Sequence, residues 1–171
     1  MNGVATPVWP IAYRPLRPRG LLVQGASVAV AEALLLASYR GHEAGFHWAT
    51  HFLVGLSAAA LTNLAWLALK GAPARGQLLS ILAWHLYAML PDLLFSRGIP
   101  HDGWMDVFLA HISSHYVPGG ITTWLAIALT LSSAYAIVLS RWLAARLTEA
   151  EAGAGTGLAG RRQELDRCPG D

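Results

Sequence analysis

The chain is poor in cysteine, lysine and charge. Cys168 is its one cysteine among 171 residues, and Lys70 its one lysine. Charged residues make up only 13 %, against the ~25 % of an ordinary soluble domain. A single cysteine excludes an internal disulfide and a cysteine-rich metal site. The net charge of +2 therefore comes from arginine. No glycine-rich phosphate loop or aromatic–basic interleaving accompanies those arginines, which argues against a nucleic-acid partner. The shortage of charge, with 54 % hydrophobic residues and seven Trp, points to a chain whose solvent is a lipid bilayer.

Four apolar runs carry that composition: Leu21–Ser38, His51–Leu69, Gln77–Phe95 and Ile121–Leu143. About 20 residues of helix cross the hydrocarbon core, so each run is an expected span, the first somewhat short. Before them, residues 1–20 hold four prolines and Arg14, Arg17 and Arg19, a basic arm in which proline density forbids a regular helix. The length of that arm, and Glu32 inside the first run, favour an uncleaved anchor over a secretory signal. Pro91 is expected to kink or end the third span. Trp104–Tyr116 reads as a short interfacial helix, followed by the breakers Pro118, Gly119 and Gly120. From Thr148 to Asp171 the chain is small and polar and reads as a disordered tail. The expected domains are thus the arm 1–20, a helical membrane domain 21–147 and the tail 148–171.

Cations set the orientation, since segments rich in Arg and Lys stay in the cytoplasm. Arg14, Arg17 and Arg19 precede the first run, Lys70 and Arg75 separate the second and third, and Arg141 and Arg146 close the fourth. The alternate connections hold only Arg40 and Arg97. The expected fold is all-α, with four transmembrane helices, both termini cytoplasmic, and an interfacial helix between spans three and four. A bacterial inner membrane suits this pattern.

The same orientation gathers histidine on the outer side. His42, His47, His51, His101, His111 and His115 all fall there, while His85 lies near the middle of the third span. Asp92 ends that span seven residues later, on the same side of the helix at ~100° per residue. Ionisable groups at membrane depth are costly and usually face the bundle interior, where they mark a site. His47/His51 and His111/His115 are each spaced i, i+4, one helical turn, so that two imidazoles can grip one ion. Asp92 or Glu32 could complete a His/carboxylate set, for which zinc is the first expectation. Gly55, Ala58 and Thr62 continue the face of His51 and would let helices approach closely.

More ordinary readings stand beside this one. Interfacial histidines can be polar tips on an apolar body, and His42 and His47 suit that role best. Asp92 can cap a helix, and Glu32 can bond a polar neighbour. Asp102 and Asp106 lie on another face of a regular helix from His111 and His115, which leaves them supporting roles.

Thr50-His51 with Gly55 at the head of a span, and Pro91-Asp92 closing a later span before a histidine-rich segment, resemble the bacterial membrane-bound metal-dependent hydrolases. The resemblance covers about residues 50–116. It implies His51 and Asp92 as ligands, with His111 and His115 as analogues of the family's downstream histidines. Leu94 stands where the family has a second aspartate, and His-Ile-Ser-Ser-His departs from its downstream motif. A looser likeness is to ceramidase-type transmembrane hydrolases, whose ordered Glu, His, Asp and HxxxH correspond to Glu32, His51, Asp92 and His111/His115.

The sequence therefore predicts a metal-dependent hydrolase with its site at the outer face, acting on a lipid-like ester, amide or phosphoester. Its expected metal ligands are His51, Asp92, His111 and His115, and its expected general base or proton shuttle is Glu32 or Asp106. Two alternatives are an electron-transfer subunit holding haem or quinone, with His85 as an axial ligand, and a non-enzymatic membrane subunit whose polar residues fix helix packing.

Overall fold

The computed structural model describes residues 18–40, 45–100 and 102–167. The basic arm before Pro18, His42, His101 and Cys168 lie outside them. The described residues are helical, with no strand: α1 (Pro18–Arg40), α2 (Gly45–Lys70), α3 (Leu79–Phe95) and α4 (Ile121–Arg167). Two short 3₁₀ turns, Gly103–Val107 and Ser113–Tyr116, lie between α3 and α4. Three helices are long and apolar enough to cross a membrane, within Pro18–Ser38, His47–Lys70 and Ile121–Glu149. At 17 residues α3 is shorter, ~26 Å at 1.5 Å per residue.

Helix α2 is the centre of the bundle, packed broadly against α3 and α4, while α1 touches α2 and α3 more sparsely. Sequence explains the tightest of these contacts. A Cβ on Gly55 would sit 2.7 Å from both the Cα and the N of His85. The two backbones therefore meet where α2 presents no side chain, as the small-residue face anticipated.

Polar pins hold the two ends. At one, Asn63 Nδ2 donates to Ser80 Oγ (2.8 Å) and the Gln77 carbonyl (3.2 Å). There too Trp142 Nε1 donates to the Gly71 carbonyl (2.7 Å), and the Tyr135 hydroxyl to Gln77 Oε1. Gly71 closes α2 with φ +65°, its N–H bonded to the Leu67 carbonyl (2.9 Å). This left-handed helix end favours glycine. At the other end, Trp124 Nε1 donates to the Ser114 carbonyl (3.1 Å) and the Tyr87 hydroxyl to the Val107 carbonyl (3.0 Å).

Four local expectations change. Helix α2 begins at Gly45, not at His51. Trp48 stacks on Phe52 one turn later, with centroids 5.3 Å apart and planes 8° from parallel, so the helix carries His47 into its first turn. Pro91 does not end α3, which continues to Phe95. Its missing N–H leaves the Tyr87 carbonyl without the usual helical donor, and its ring crowds that turn.

The segment Trp104–Tyr116 is not one regular helix, because Leu109 and Ala110 interrupt it at φ 56° and 54°. Side chains rarely adopt that region, at a cost of ~1–3 kcal/mol per residue. The break is held by Ala110 N–H on the Asp106 carbonyl and Ser114 N–H on the Ala110 carbonyl, both 2.7 Å. Finally, α4 runs on to Arg167, where composition predicts disorder. An established helix adds residues without a new nucleation cost, and Ala, Glu, Leu, Arg and Gln are good helix formers.

Candidate metal centre

Asp92 leaves the last turn of α3 and faces two imidazoles at once. Its Oδ2 lies 3.2 Å from His51 Nε2 and its Oδ1 3.2 Å from His111 Nε2. His51 comes from the second turn of α2 and His111 from the chain just after the Leu109–Ala110 break. The two rings stack, with centroids 4.5 Å apart and planes 9° from parallel. Both histidines are buried, at 1 % and 3 % exposure, and the Asp92 side chain is 14 % exposed. Donor atoms of the three lie within 4.8 Å of one another. The group is able to hold a metal ion.

The hydrogen-bond chemistry favours a cation there. His111 Nδ1 lies 3.0 Å from the Ala88 carbonyl. A carbonyl only accepts, so Nδ1 carries the proton, and in the neutral ring Nε2 presents a lone pair. That lone pair meets a carboxylate oxygen, which is also an acceptor. A cation between them, a proton or a metal ion, resolves the conflict. His51 Nε2 is buried and faces the Asp92 carboxylate at 3.2 Å without a well-aligned hydrogen bond, an arrangement that a bridging cation would improve. Two ligands about 2.0–2.2 Å from one tetrahedral ion stand ~3.4 Å apart, close to both observed separations. The Ala88 carbonyl also fixes the His111 ring from outside the donor group, as second-shell acceptors do in metal sites.

His47 and His115 extend the cluster outward. With His51 they form a second triad whose donor atoms are also within 4.8 Å. The His47 and His115 rings are 4.7 Å apart, and His51 and His115 5.3 Å. Both outer residues are exposed. His115 titrates well below an ordinary histidine, at about 4. Partial desolvation of its ring is the main cause, followed by repulsion from His51, His47 and His111. At neutral pH it presents an unprotonated nitrogen.

Glu32 and Asp106, the expected proton-handling carboxylates, belong to neither triad. Glu32 Oε2 accepts from His85 Nδ1 at 2.7 Å, which ties α1 to α3 one helical stretch deeper than Asp92. His85 is fully buried, edge-on to Trp48 and Phe52 with ring centroids 5.6 and 5.4 Å away. It thus joins Glu32 and the aromatic wall, away from both triads.

Asp106 instead organises the turn that presents His111. Its Oδ1 accepts from the Ile112 and Ser113 N–H groups (2.8 and 2.9 Å), and its Oδ2 from Ser113 Oγ (2.6 Å). The Ser113 hydroxyl, then the Ser113 N–H, hold its carboxyl below the ordinary value. The depressed value fixes the sign. The carboxylate's contribution is complete above the ordinary value of 3.8 and is lost as pH falls through the lower folded one. If the His51/Asp92/His111 group holds a metal ion, Asp106→Ala is expected to weaken its binding by about tenfold through misplacement of His111, the low end for a residue behind a ligand. Zinc titration of the purified variant checks this, and unchanged affinity would deny Asp106 that role.

His47, whose i, i+4 spacing to His51 is visible in the sequence but which reads there best as a polar tip at the interface, stands in the structure with His51 and His115. No known protein family, curated protein or solved structure matches the chain.

Proposed function

We propose that the protein is a multi-pass membrane hydrolase that uses a divalent metal ion, zinc by its donor set, held by His51, Asp92 and His111. The observation carrying this reading is the half-buried Asp92 carboxylate facing two buried imidazoles, with the tautomer of one fixed so that its lone pair points inward. Imidazole with carboxylate suits zinc better than magnesium or calcium, which prefer all-oxygen shells. When bound, such an ion lowers the pKa of its water towards ~7 and polarises a carbonyl or phosphoryl oxygen.

The bilayer reading rests on the exposed apolar side chains of α1 and α4, such as Leu22, Val30, Leu34, Leu129 and Ile137. Large exposed apolar surfaces signal contact with lipid or protein. With α3 counted as a fourth, short span and the arginines on the cytoplasmic side, the His/Asp cluster lies at the outer interface. A substrate with an apolar tail and a hydrolysable ester, amide or phosphoester head suits that position. His51, Asp92 and His111 anchor the ion, the exposed His47 and His115 line the watery approach, and Asp106 keeps the His111 turn in place. Glu32 and His85 hold α1 against the core beneath.

Purified protein in nanodiscs, offered chromogenic acyl esters, amides and phosphodiesters with long acyl chains, is expected to hydrolyse one of these classes. A chelator should abolish the activity, zinc should restore it, and His111→Ala should lack it. Metal-loaded protein inert towards every class would sink the hydrolase assignment while leaving the metal site intact.

A further inference from the structure

The two triads share His51, and the sharing constrains what the cluster can do. A neutral imidazole has one lone pair to give, so His51 serves the inner group (His51, Asp92, His111) or the outer group (His47, His51, His115), but not both together. The donors also differ in kind. The inner group includes a carboxylate and two buried rings, whereas the outer group is all imidazole and two of its members are exposed. A formal negative charge in a desolvated setting attracts a divalent cation more strongly than neutral donors in water. The inner position is thus the more stable one, and the outer position the one that solvent reaches.

We propose that His47 and His115 form, with His51, a loading position for a borderline divalent transition-metal ion such as Zn²⁺ or Co²⁺. The ion is captured there and passes inward as His51 exchanges its outer partners for Asp92 and His111. This inference rests on the proposed inner metal site. The geometry gives it three supports. The outer rings stand next to His51, with His115 5.3 Å from it and 5.7 Å from His111. The partner that His51 Nε2 faces, Asp92 at 3.2 Å, is the ligand it would share with the ion in the inner position. The near-total burial of His51 and His111 means that an ion from water meets the exposed imidazoles first. Hard cations such as Mg²⁺, which prefer oxygen shells, would meet only imidazoles in the outer triad and would be captured poorly there.

The test is uptake of Zn²⁺ by the full-length apoprotein in detergent, followed by stopped flow against a fluorescent chelator. Wild type is expected to end with one ion per chain. The His47→Ala/His115→Ala protein should reach the same stoichiometry with similar affinity, but with uptake and release both slowed roughly tenfold. Both rates must fall together, because a lost route changes kinetics and leaves the end states alone. Circular dichroism reports whether the double variant folds, and the single His47→Ala variant decides the matter if it does not. Unchanged rates would overturn the loading role and leave the inner site standing. Loss of equilibrium binding would overturn it too, by making His47 and His115 permanent ligands. Wild-type protein that takes up no Zn²⁺ would remove the inner site and the loading position together.

Discussion

Gly55→Leu is expected to prevent recovery of a folded protein, and Gly55→Ala to lower the melting temperature markedly. The reason is geometric. Even the first carbon of a side chain at position 55 would lie 2.7 Å from the His85 Cα and N, and 3.0 Å from the Trp84 carbonyl carbon. Those are backbone atoms in the middle of α3, so no rotamer change relieves the clash and the helices must separate.

Overpacking a close-fitted interior costs ~1–3 kcal/mol, and a stability of ~5–15 kcal/mol leaves little in reserve. For a chain of this size each kcal/mol is worth about 2–4 °C, so Gly55→Ala should melt roughly 2–12 °C lower. Separation at Gly55 also moves His51, one turn away on α2, relative to Asp92 on α3. The alanine variant should therefore bind zinc more weakly as well. Thermal melting in detergent, with and without zinc, measures both effects. A melting temperature within a degree of wild type would show that α2 and α3 do not meet as described.

Much of this architecture is legible in the sequence, and the residues show why the rest is not. Apolar runs locate the helices because length and hydropathy are one-dimensional properties. Gly55 could be recognised as a contact point because it continues the face of His51. Asp92 and His51 stand out because ionisable groups at the ends of apolar runs are rare.

Partner choice is another matter. Glu32 could be read as completing a His/carboxylate set, as a proton shuttle, or as bonding a polar neighbour. Only the depth at which α1 docks decides for His85. The Leu109–Ala110 break is invisible to pattern reading, since neither residue favours positive φ. It is imposed by the bonds around Asp106 and by the need to bring His111 beneath the Ala88 carbonyl. The extension of α4 to Arg167 follows from helix continuation, which local composition alone does not reveal.

Asp92 is the residue on which the proposed metal site turns. It supplies the only carboxylate of the two donor triads and is the sole element that touches both His51 and His111 among the inner donors. Asp92→Asn keeps the size and removes the charge. It also places an amide where the carboxylate opposed two imidazole nitrogens. Residues behind a ligand already cost ~10–100-fold in metal affinity when changed, so loss of this ligand is expected to cost about 100-fold or more.

The most direct measurement is metal content after purification and dialysis against zinc at limiting concentration, joined to X-ray absorption at the zinc edge. Wild type is predicted to retain one ion per chain, in a shell of nitrogen and oxygen with imidazole scattering from two histidines. Folded Asp92→Asn is predicted to retain almost none. Wild type without stoichiometric zinc, or Asp92→Asn holding as much zinc in the same shell, would contradict the assignment of His51, Asp92 and His111 as a metal site.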